Sequence, residues 1–254
     1  MLSGYLFLNI FVGWTVLGCE QRGAPPPWWI KPFIYLSIPW AVSIHTVTAF
    51  LIAGLAARGF WLTAVMAPRF LASAFAAGPA LVILLCYIVK KVAGWDAGKE
   101  AIRAAARIVT YAMVVSAFLV VCELFTVYYS QIPEHMNHFN FLFMGLHGQA
   151  PFTVSWWLFI ILGLIALVLL LIPQTRNSDT ILPIACVLTF LSLWIEKGFL
   201  LIIIGFIPSP LEDLARYVPT FPEISISLGV WGLGALILTI LYKVAVGVRK
   251  QLET

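Results

Sequence analysis

Seven long apolar runs divide this chain, and each is close to the length needed to cross a lipid bilayer. They cover roughly residues 2–18, 33–57, 62–89, 104–129, 154–172, 181–206 and 224–246. About 20 apolar residues cross the hydrocarbon as a helix, and backbone groups in lipid must be satisfied within the segment. Charged residues are only 10% of the chain, against about 25% in soluble domains. The sequence therefore predicts an all-α, polytopic transmembrane helix bundle that forms a single transmembrane domain over residues 1–254.

Lysine and arginine are unevenly distributed between the connections, which predicts the orientation of the chain. Eleven lie in alternate connections or the C-terminal tail: Arg22, Lys31, Lys90, Lys91, Lys99, Arg103, Arg107, Arg176, Lys243, Arg249 and Lys250. The other connections hold two, Arg58 and Arg216. Because positive charge concentrates on the cytoplasmic side, we expect the N-terminus outside and the C-terminus inside. The first helix begins directly after Met1 without a basic segment or cleavage site, so it is not a secretory signal. Because an N-out first helix without a translocation aid is unusual, we expect either that an upstream helix has been lost or that a partner chain inserts it, and we favour a truncated or split gene.

The cysteines and histidines predict no haem or iron–sulfur cluster in this chain. The cysteines are scattered singly, without the ligand spacing of a cluster, and we interpret them as small buried hydrophobic side chains. Haem held between two transmembrane histidines needs a pair, and only His45 lies in a predicted span. His135, His138 and His147 lie with Glu134 in the outer connection 130–153. Their spacing matches no standard metal site, which favours a solvated or partner-facing loop.

Four charged side chains and one histidine fall within the predicted spans, namely His45, Arg69, Glu123, Glu196 and Lys197. A charge at the bilayer centre costs about 2.5–3.5 kcal/mol, so each needs a partner, a water cavity or a function. The formal charges sum to zero, as mutual pairing requires. Counting 1.5 Å per residue from the outer helix ends places all five groups roughly 10–18 Å below the outer surface. A structural ion-pair network and a ligand or proton site inside the bundle are both consistent with this placement.

Proline and hydroxyl residues beside these groups favour the ligand or proton site. Pro39 precedes His45 by six residues, and Pro68 directly precedes Arg69. Proline removes a helical hydrogen bond and leaves a backbone carbonyl without its usual donor. The hydroxyl residues that flank His45, and that we expect to fix its tautomer, are Ser43, Thr46 and Thr48.

Four stretches in order resemble the NrfD/PsrC family, the polysulfide reductase-type quinone-interacting membrane subunits of respiratory oxidoreductases. Residues 38–50 read IPWAVSIHTVTAF, similar to the family's P-x-A-V-S-V-H-T-V helix, and residues 67–75 read APRFLASAF, similar to its A-P-R-F-x-A-S-A-F helix. EKG at 196–198 with GFIPSPL at 205–211, and YVPT at 217–220 with GVW at 229–231, look closest to the branch containing HmcC, TmcC and DsrP. The resemblance covers essentially the whole chain. Family members usually have further helices at the N-terminus.

The resemblance implies a subunit without cofactors of its own that binds menaquinone or ubiquinone and exchanges electrons with an adjacent iron–sulfur subunit. His45 matches the family's quinone-site histidine. A ring whose charge changes near neutral pH suits it to accept a quinol proton. Glu123 and Glu196 are the expected proton carriers. Arg69 and Lys197 are expected to hold those carboxylates ionised and to polarise the second quinone oxygen.

The long, non-basic outer connections 130–153 and 207–223 predict where the iron–sulfur partner docks. Both are rich in proline, aromatic and polar residues, so we expect docking on the outer face, beside other membrane subunits and without nucleic acid. The predicted location is the cytoplasmic (inner) membrane, and the chain alone is not expected to be active. A proton-coupled secondary transporter has similar midplane charges but predicts an inverted repeat that is not apparent here. A passive anchor leaves the buried charges unexplained.

Overall fold

The computed structural model describes residues 1–55, 57–146, 148–207, 209 and 219–252, and these are predominantly helical. The helices are α1 (Leu2–Gln21), α2 (Ile30–Ala53), α3 (Met66–Ala93), α4 (Lys99–Ser130), α5 (Pro133–Phe143), α6 (Thr153–Leu171), α7 (Pro173–Arg176), α8 (Ile181–Trp194), α9 (Leu201–Phe206) and α10 (Phe221–Leu252). A π-helical turn, Ile195–Leu200, joins α8 to α9. Within these described ranges, seven helices, with α8 and α9 counted as one, are long and apolar enough to cross a membrane. The prediction of an all-α, multi-pass membrane protein is confirmed.

The described helices form two compact units. The first contains Met1–Ile44 and the C-terminal helix α10, and α1 packs against α10 within it. The second contains the described residues between His45 and Ala215. In the second unit α3 packs against α4 and α8, and α6 packs against α4 and α8. All four charged residues predicted from the spans lie in the second unit.

Two hydrophobic clusters fill the second unit, and we name them by the predicted topology. The outer cluster is rich in aromatic side chains and joins the outward ends of the helices to α5 and to the α2–α3 loop; its members include Phe60, Trp61, Met66, Val127, Phe139, Phe141, Phe152, Trp156, Phe159, Leu201 and Ile204. The inner cluster is built from smaller aliphatic side chains and includes Ala76, Ala80, Ile83, Ala106, Val109, Met113, Ala166, Leu170, Leu182 and Cys186.

A band of buried polar side chains lies between the two clusters along three of the four helices. The band consists of Arg69 and Ser73 on α3, Ser116 and Glu123 on α4, and Ser192 and Glu196 on the α8–α9 span. On each helix the buried members of the inner cluster lie on one side of the charged residue in the sequence, and those of the outer cluster lie on the other. The charged groups are therefore enclosed by hydrophobic layers toward both ends of the helices.

A glycine lets α6 approach α8 closely beneath this band. A Cβ atom on Gly163 would lie 2.8 Å from Ser192 Oγ, and that hydroxyl donates a hydrogen bond to the Phe159 carbonyl at 2.9 Å. We expect Gly163→Ala to lower the free energy of unfolding by about 1–3 kcal/mol, as overpacked cores do, measured by thermal unfolding in detergent. The control is Gly232→Ala in α10, where a Cβ meets nothing within 4 Å. A similar loss in both variants would contradict this explanation.

Candidate functional site

Arg69 is the centre of a buried ion-pair group that joins three helical segments. One guanidinium nitrogen, Nη1, pairs with Glu123 on α4, and the other, Nη2, pairs with Glu196 in the π-helical turn. Arg69, Glu123 and Glu196 are each no more than 5% exposed. The guanidinium offers two forked faces to carboxylates, so one cation binds two acidic side chains from different helices.

Lys197 balances the charge of this group. Its Nζ lies 3.2 Å from Glu196 Oε1 and 5.1 Å from the centre of the Phe70 ring, in cation–π contact. Two cations and two carboxylates therefore meet in one cluster, which we call the charge cluster (Arg69, Glu123, Glu196 and Lys197). The mutual pairing that the zero charge sum predicted is present among these four residues. Burial of such a group is tolerable only because each charge has a partner.

Three polar atoms of the charge cluster have no hydrogen-bond partner within the part of the chain that the structure describes. They are Arg69 Nε, Glu196 Oε2 and Lys197 Nζ, whose contact with Glu196 lacks hydrogen-bond geometry. A buried polar atom without a partner costs about 1–3 kcal/mol, and native proteins rarely leave one unfilled. Two donors and one acceptor in the same cluster match a small ligand that carries both an oxygen acceptor and a hydroxyl donor.

The π-helical turn determines how Glu196 and Lys197 are presented. The Leu201 N–H donates to the Glu196 carbonyl, five residues back rather than four. Single π turns inside α-helices occur frequently at functional sites, and the wider turn changes the direction of the side chains within it relative to the α-helix that precedes it. The hydrophobic pattern of the span does not predict this turn. Gly198, directly after the two charged residues of this span, is the available local signal.

The structure corrects the interpretation of Pro68. Helix α3 begins at Met66, so Pro68 lies in the first turn, where the backbone N–H has no intrahelical acceptor in any case. Pro68 therefore starts the helix that carries Arg69 and does not break it. Pro39, by contrast, lies inside α2 as predicted.

His45 is half-buried on α2 and is not joined to the charge cluster by any contact that the structure gives for the described residues. Ser43 Oγ donates to the Trp40 carbonyl, three residues back on the same helix, at 2.8 Å, and its predicted role in fixing the imidazole tautomer stays a prediction. Ala49, one turn after His45, is fully buried in the outer cluster, and Ile52 packs against the same cluster. Residues four apart share a helix face, so His45 lies on the face of α2 that packs toward the outer cluster.

The outer connection 130–153, predicted as a loop, contains the helix α5. His138 on α5 is buried, with its ring centre 5.7 Å from that of Phe60. Burial, with a smaller effect of His135, lowers the pKa of His138 to about 4, so its ring is neutral at physiological pH. His147 and Arg216 lie outside the described residues. Among the described residues no group of three or more potential metal ligands occurs.

Comparisons with known proteins cover the charge cluster. A family model described as "Polysulphide reductase, NrfD" matches residues 5–208, a range that includes His45 and all four members of the charge cluster. Over 223 residues the chain is 24% identical to a putative dimethyl sulfoxide reductase membrane subunit of Halobacterium salinarum, and the match covers 79% of this chain and 50% of that protein. The chain therefore spans about half the length of the curated relative it matches.

Proposed function

Because the chain belongs to the NrfD polysulphide reductase family, we propose that it is the quinone-interacting membrane subunit of a respiratory reductase complex. In this proposal menaquinone or ubiquinone binds at the charge cluster, and an adjacent iron–sulfur subunit exchanges electrons with it. The observation that carries the proposal is the buried charge cluster, in which two donor atoms and one acceptor atom have no hydrogen-bond partner among the described residues. A quinol offers a hydroxyl donor, and a quinone offers a carbonyl acceptor, so both redox forms suit this set.

The chain's own residues would bind the quinone and handle its protons. Quinol oxidation yields a quinone, two protons and two electrons, and the redox chemistry belongs to the quinone. We assign Glu196 Oε2 to accept a hydrogen bond and then a proton from one hydroxyl, because its other oxygen is held by Arg69 and Lys197. Arg69 Nε and Lys197 Nζ would donate to the quinone oxygens.

His45 and Glu123 complete the proposed proton path. His45 would accept the proton of the second hydroxyl, since a neutral imidazole carries a ring nitrogen that can act as a general base. Glu123, which pairs with the other side of the Arg69 guanidinium, would accept a proton after Glu196. The same path would serve proton translocation if the complex couples it to electron transfer.

The iron–sulfur partner is proposed to dock on the outer face of the cytoplasmic membrane. The outer cluster, α5 and the α2–α3 loop form the end of the second unit nearest to the charge cluster. The basic residues of the opposite end, among them Lys90 and Lys99, are explained by topology. Two of them are also neutralised by exposed carboxylates, with Lys90 Nζ 2.6 Å from Asp96 and Lys99 Nζ 3.5 Å from Asp179.

Purification of the tagged chain with its native partners tests this function. We expect a cluster-bearing subunit and a quinone to co-purify, and quinol to reduce the clusters when it is added to the complex, followed by electron paramagnetic resonance. Cross-links to the partner should fall on the peptide of 130–153 that contains Glu134 rather than on Lys90, Lys91 or Lys99. A complex that contains no redox subunit, or a chain that moves protons without quinone in vesicles, would favour the transporter instead.

A further inference from the structure

Trp61, in the α2–α3 loop, is connected to the π-helical turn by a short chain of hydrogen bonds. Its indole Nε1 donates to the Leu201 carbonyl at 2.8 Å, although the two residues are 140 positions apart. The N–H of the same residue, Leu201, donates to the Glu196 carbonyl and closes the π turn. Leu201 therefore links the side chain of Trp61 to the backbone carbonyl of Glu196, a member of the charge cluster.

A glycine provides the space for the Trp61 ring on α9. A Cβ atom on Gly205 would overlap the Trp61 ring at Cε2 and Cζ2, so the ring occupies the position that any other residue's side chain would fill. Trp61 is 4% exposed, and its ring meets Phe206 edge-on with centroids 5.0 Å apart. The contact is too close for any residue but glycine at position 205.

A second residue of the same loop binds the end of α9. Arg58 Nη1 donates to the Phe206 carbonyl at 3.2 Å, and its guanidinium carbon lies 5.0 Å from the centre of the Phe206 ring. The loop therefore satisfies two carbonyls of α9, those of Leu201 and Phe206. Both carbonyls lie in the short helix that follows the π turn.

We propose that Trp61 is a positioning residue that holds the π turn and thereby aims Glu196 and Lys197 at the charge cluster. A π turn is a less favourable backbone arrangement than an α turn and persists where the surroundings hold it. Without the indole donor, the residues after Glu196 are free to return toward α-helical hydrogen bonding, which rotates Glu196 and Lys197 about the helix axis. The part of the inference that concerns quinol turnover rests on the proposed function; the structural part does not.

Amide hydrogen exchange on the purified, detergent-solubilised complex tests the structural part. We expect Trp61→Phe, which keeps a ring but removes the indole N–H, to speed exchange in peptides covering 195–205 roughly threefold to tenfold, the effect of one lost hydrogen bond. Gly205→Ala, which displaces the ring, should produce the same local increase. The control is Trp157→Phe, since Trp157 also donates to a backbone carbonyl, at 3.4 Å, but that carbonyl belongs to Phe143 at the end of α5 and not to the helix that follows the π turn. Unchanged exchange in 195–205, or an equal increase throughout the chain, would overturn the proposal.

Quinol turnover separates positioning from general stability. We expect Trp61→Phe to lower kcat roughly tenfold to a hundredfold, as small misplacements of catalytic groups do. KM for quinol should rise about twofold to tenfold, the effect of one lost hydrogen bond, because Glu196 and Lys197 are also assigned to bind the quinone. A general loss of folded complex would lower the active fraction and leave KM unchanged. Normal kcat in Trp61→Phe, in a complex where Glu196→Gln is inactive, would reject the positioning role. If the wild-type complex shows no quinol activity at all, the proposed function fails, and hydrogen exchange alone decides whether Trp61 holds the turn.

Discussion

Arg69→Met is expected to lower the free energy of unfolding of this subunit by about 3–5 kcal/mol, the usual cost of breaking a buried ion pair by removing one partner. Arg69 is the shared cation of Glu123 and Glu196, so the substitution leaves a net negative charge buried between two hydrophobic clusters. Lys197 still pairs with Glu196, and the charge left without a partner is that of Glu123. We therefore expect poor membrane accumulation of the variant and a clear loss in thermal stability in detergent.

The double variant Arg69→Met/Glu123→Gln decides between the two roles of the charge cluster. It removes one cation and one anion and keeps the balanced Glu196–Lys197 pair. Replacing a complete buried pair is often neutral, so most of the lost stability should return. If the cluster serves only to join helices, the double variant should also regain whatever activity the assembled complex has. If the cluster is the quinone site, stability returns but quinol turnover does not.

An exposed ion pair provides the control for this experiment. Lys90 and Asp96 are in contact, but each side chain is about half exposed, at 46%, and exposed pairs are worth about 0–1 kcal/mol. Lys90→Gln should therefore leave thermal stability almost unchanged. A loss in Lys90→Gln as large as that in Arg69→Met would show that the assay reports membrane insertion and not the buried pairs.

The charge cluster could be predicted from the sequence because the membrane makes isolated charges costly. Within seven spans, two cations and two carboxylates at similar depth have few partners other than each other. The helix bounds differ from the predicted ones by a few residues, for example Ile30–Ala53 in place of 33–57. Such differences arise because hydropathy does not mark where a helix starts and stops. Lys31 is polar and yet lies inside α2, whereas the helix ends before Gly54, within the apolar run.

The backbone geometry that orients the Glu196 and Lys197 side chains could not be predicted from the sequence. The π turn at Ile195–Leu200 and the packing of the Trp61 ring against Gly205 depend on contacts between residues far apart in the chain. A glycine and a tryptophan in an apolar sequence are ordinary in a membrane helix, so neither signals its partner. The prediction for Pro68 is wrong for a similar reason: its effect depends on where the helix begins, and that start is determined by the preceding loop.

His45 tests whether the resemblance in sequence extends to function. The structure places it half-buried on α2 without a contact to the charge cluster among the described residues, so its role in quinone binding remains a prediction. If His45 accepts a quinol proton, His45→Ala and His45→Gln should each lower quinol turnover by about 10²–10⁴-fold, the range for loss of a general base. Subunit content of the complex should stay normal, because no ion pair is broken.

Two further variants, Glu196→Gln and His135→Gln, show whether an effect at His45 is specific to that residue. Glu196→Gln keeps a hydrogen-bonding side chain but cannot accept a proton as a carboxylate does, so we expect a loss of turnover in the same range. His135→Gln, on α5 outside the spans, should be silent. Normal turnover in His45→Gln with loss in His45→Ala would leave His45 as a hydrogen-bonding residue only. Normal turnover in both His45 variants, with Glu196→Gln inactive, would assign the proton transfer to the charge cluster alone, since Glu196 Oε2 is its one acceptor without a partner among the described residues.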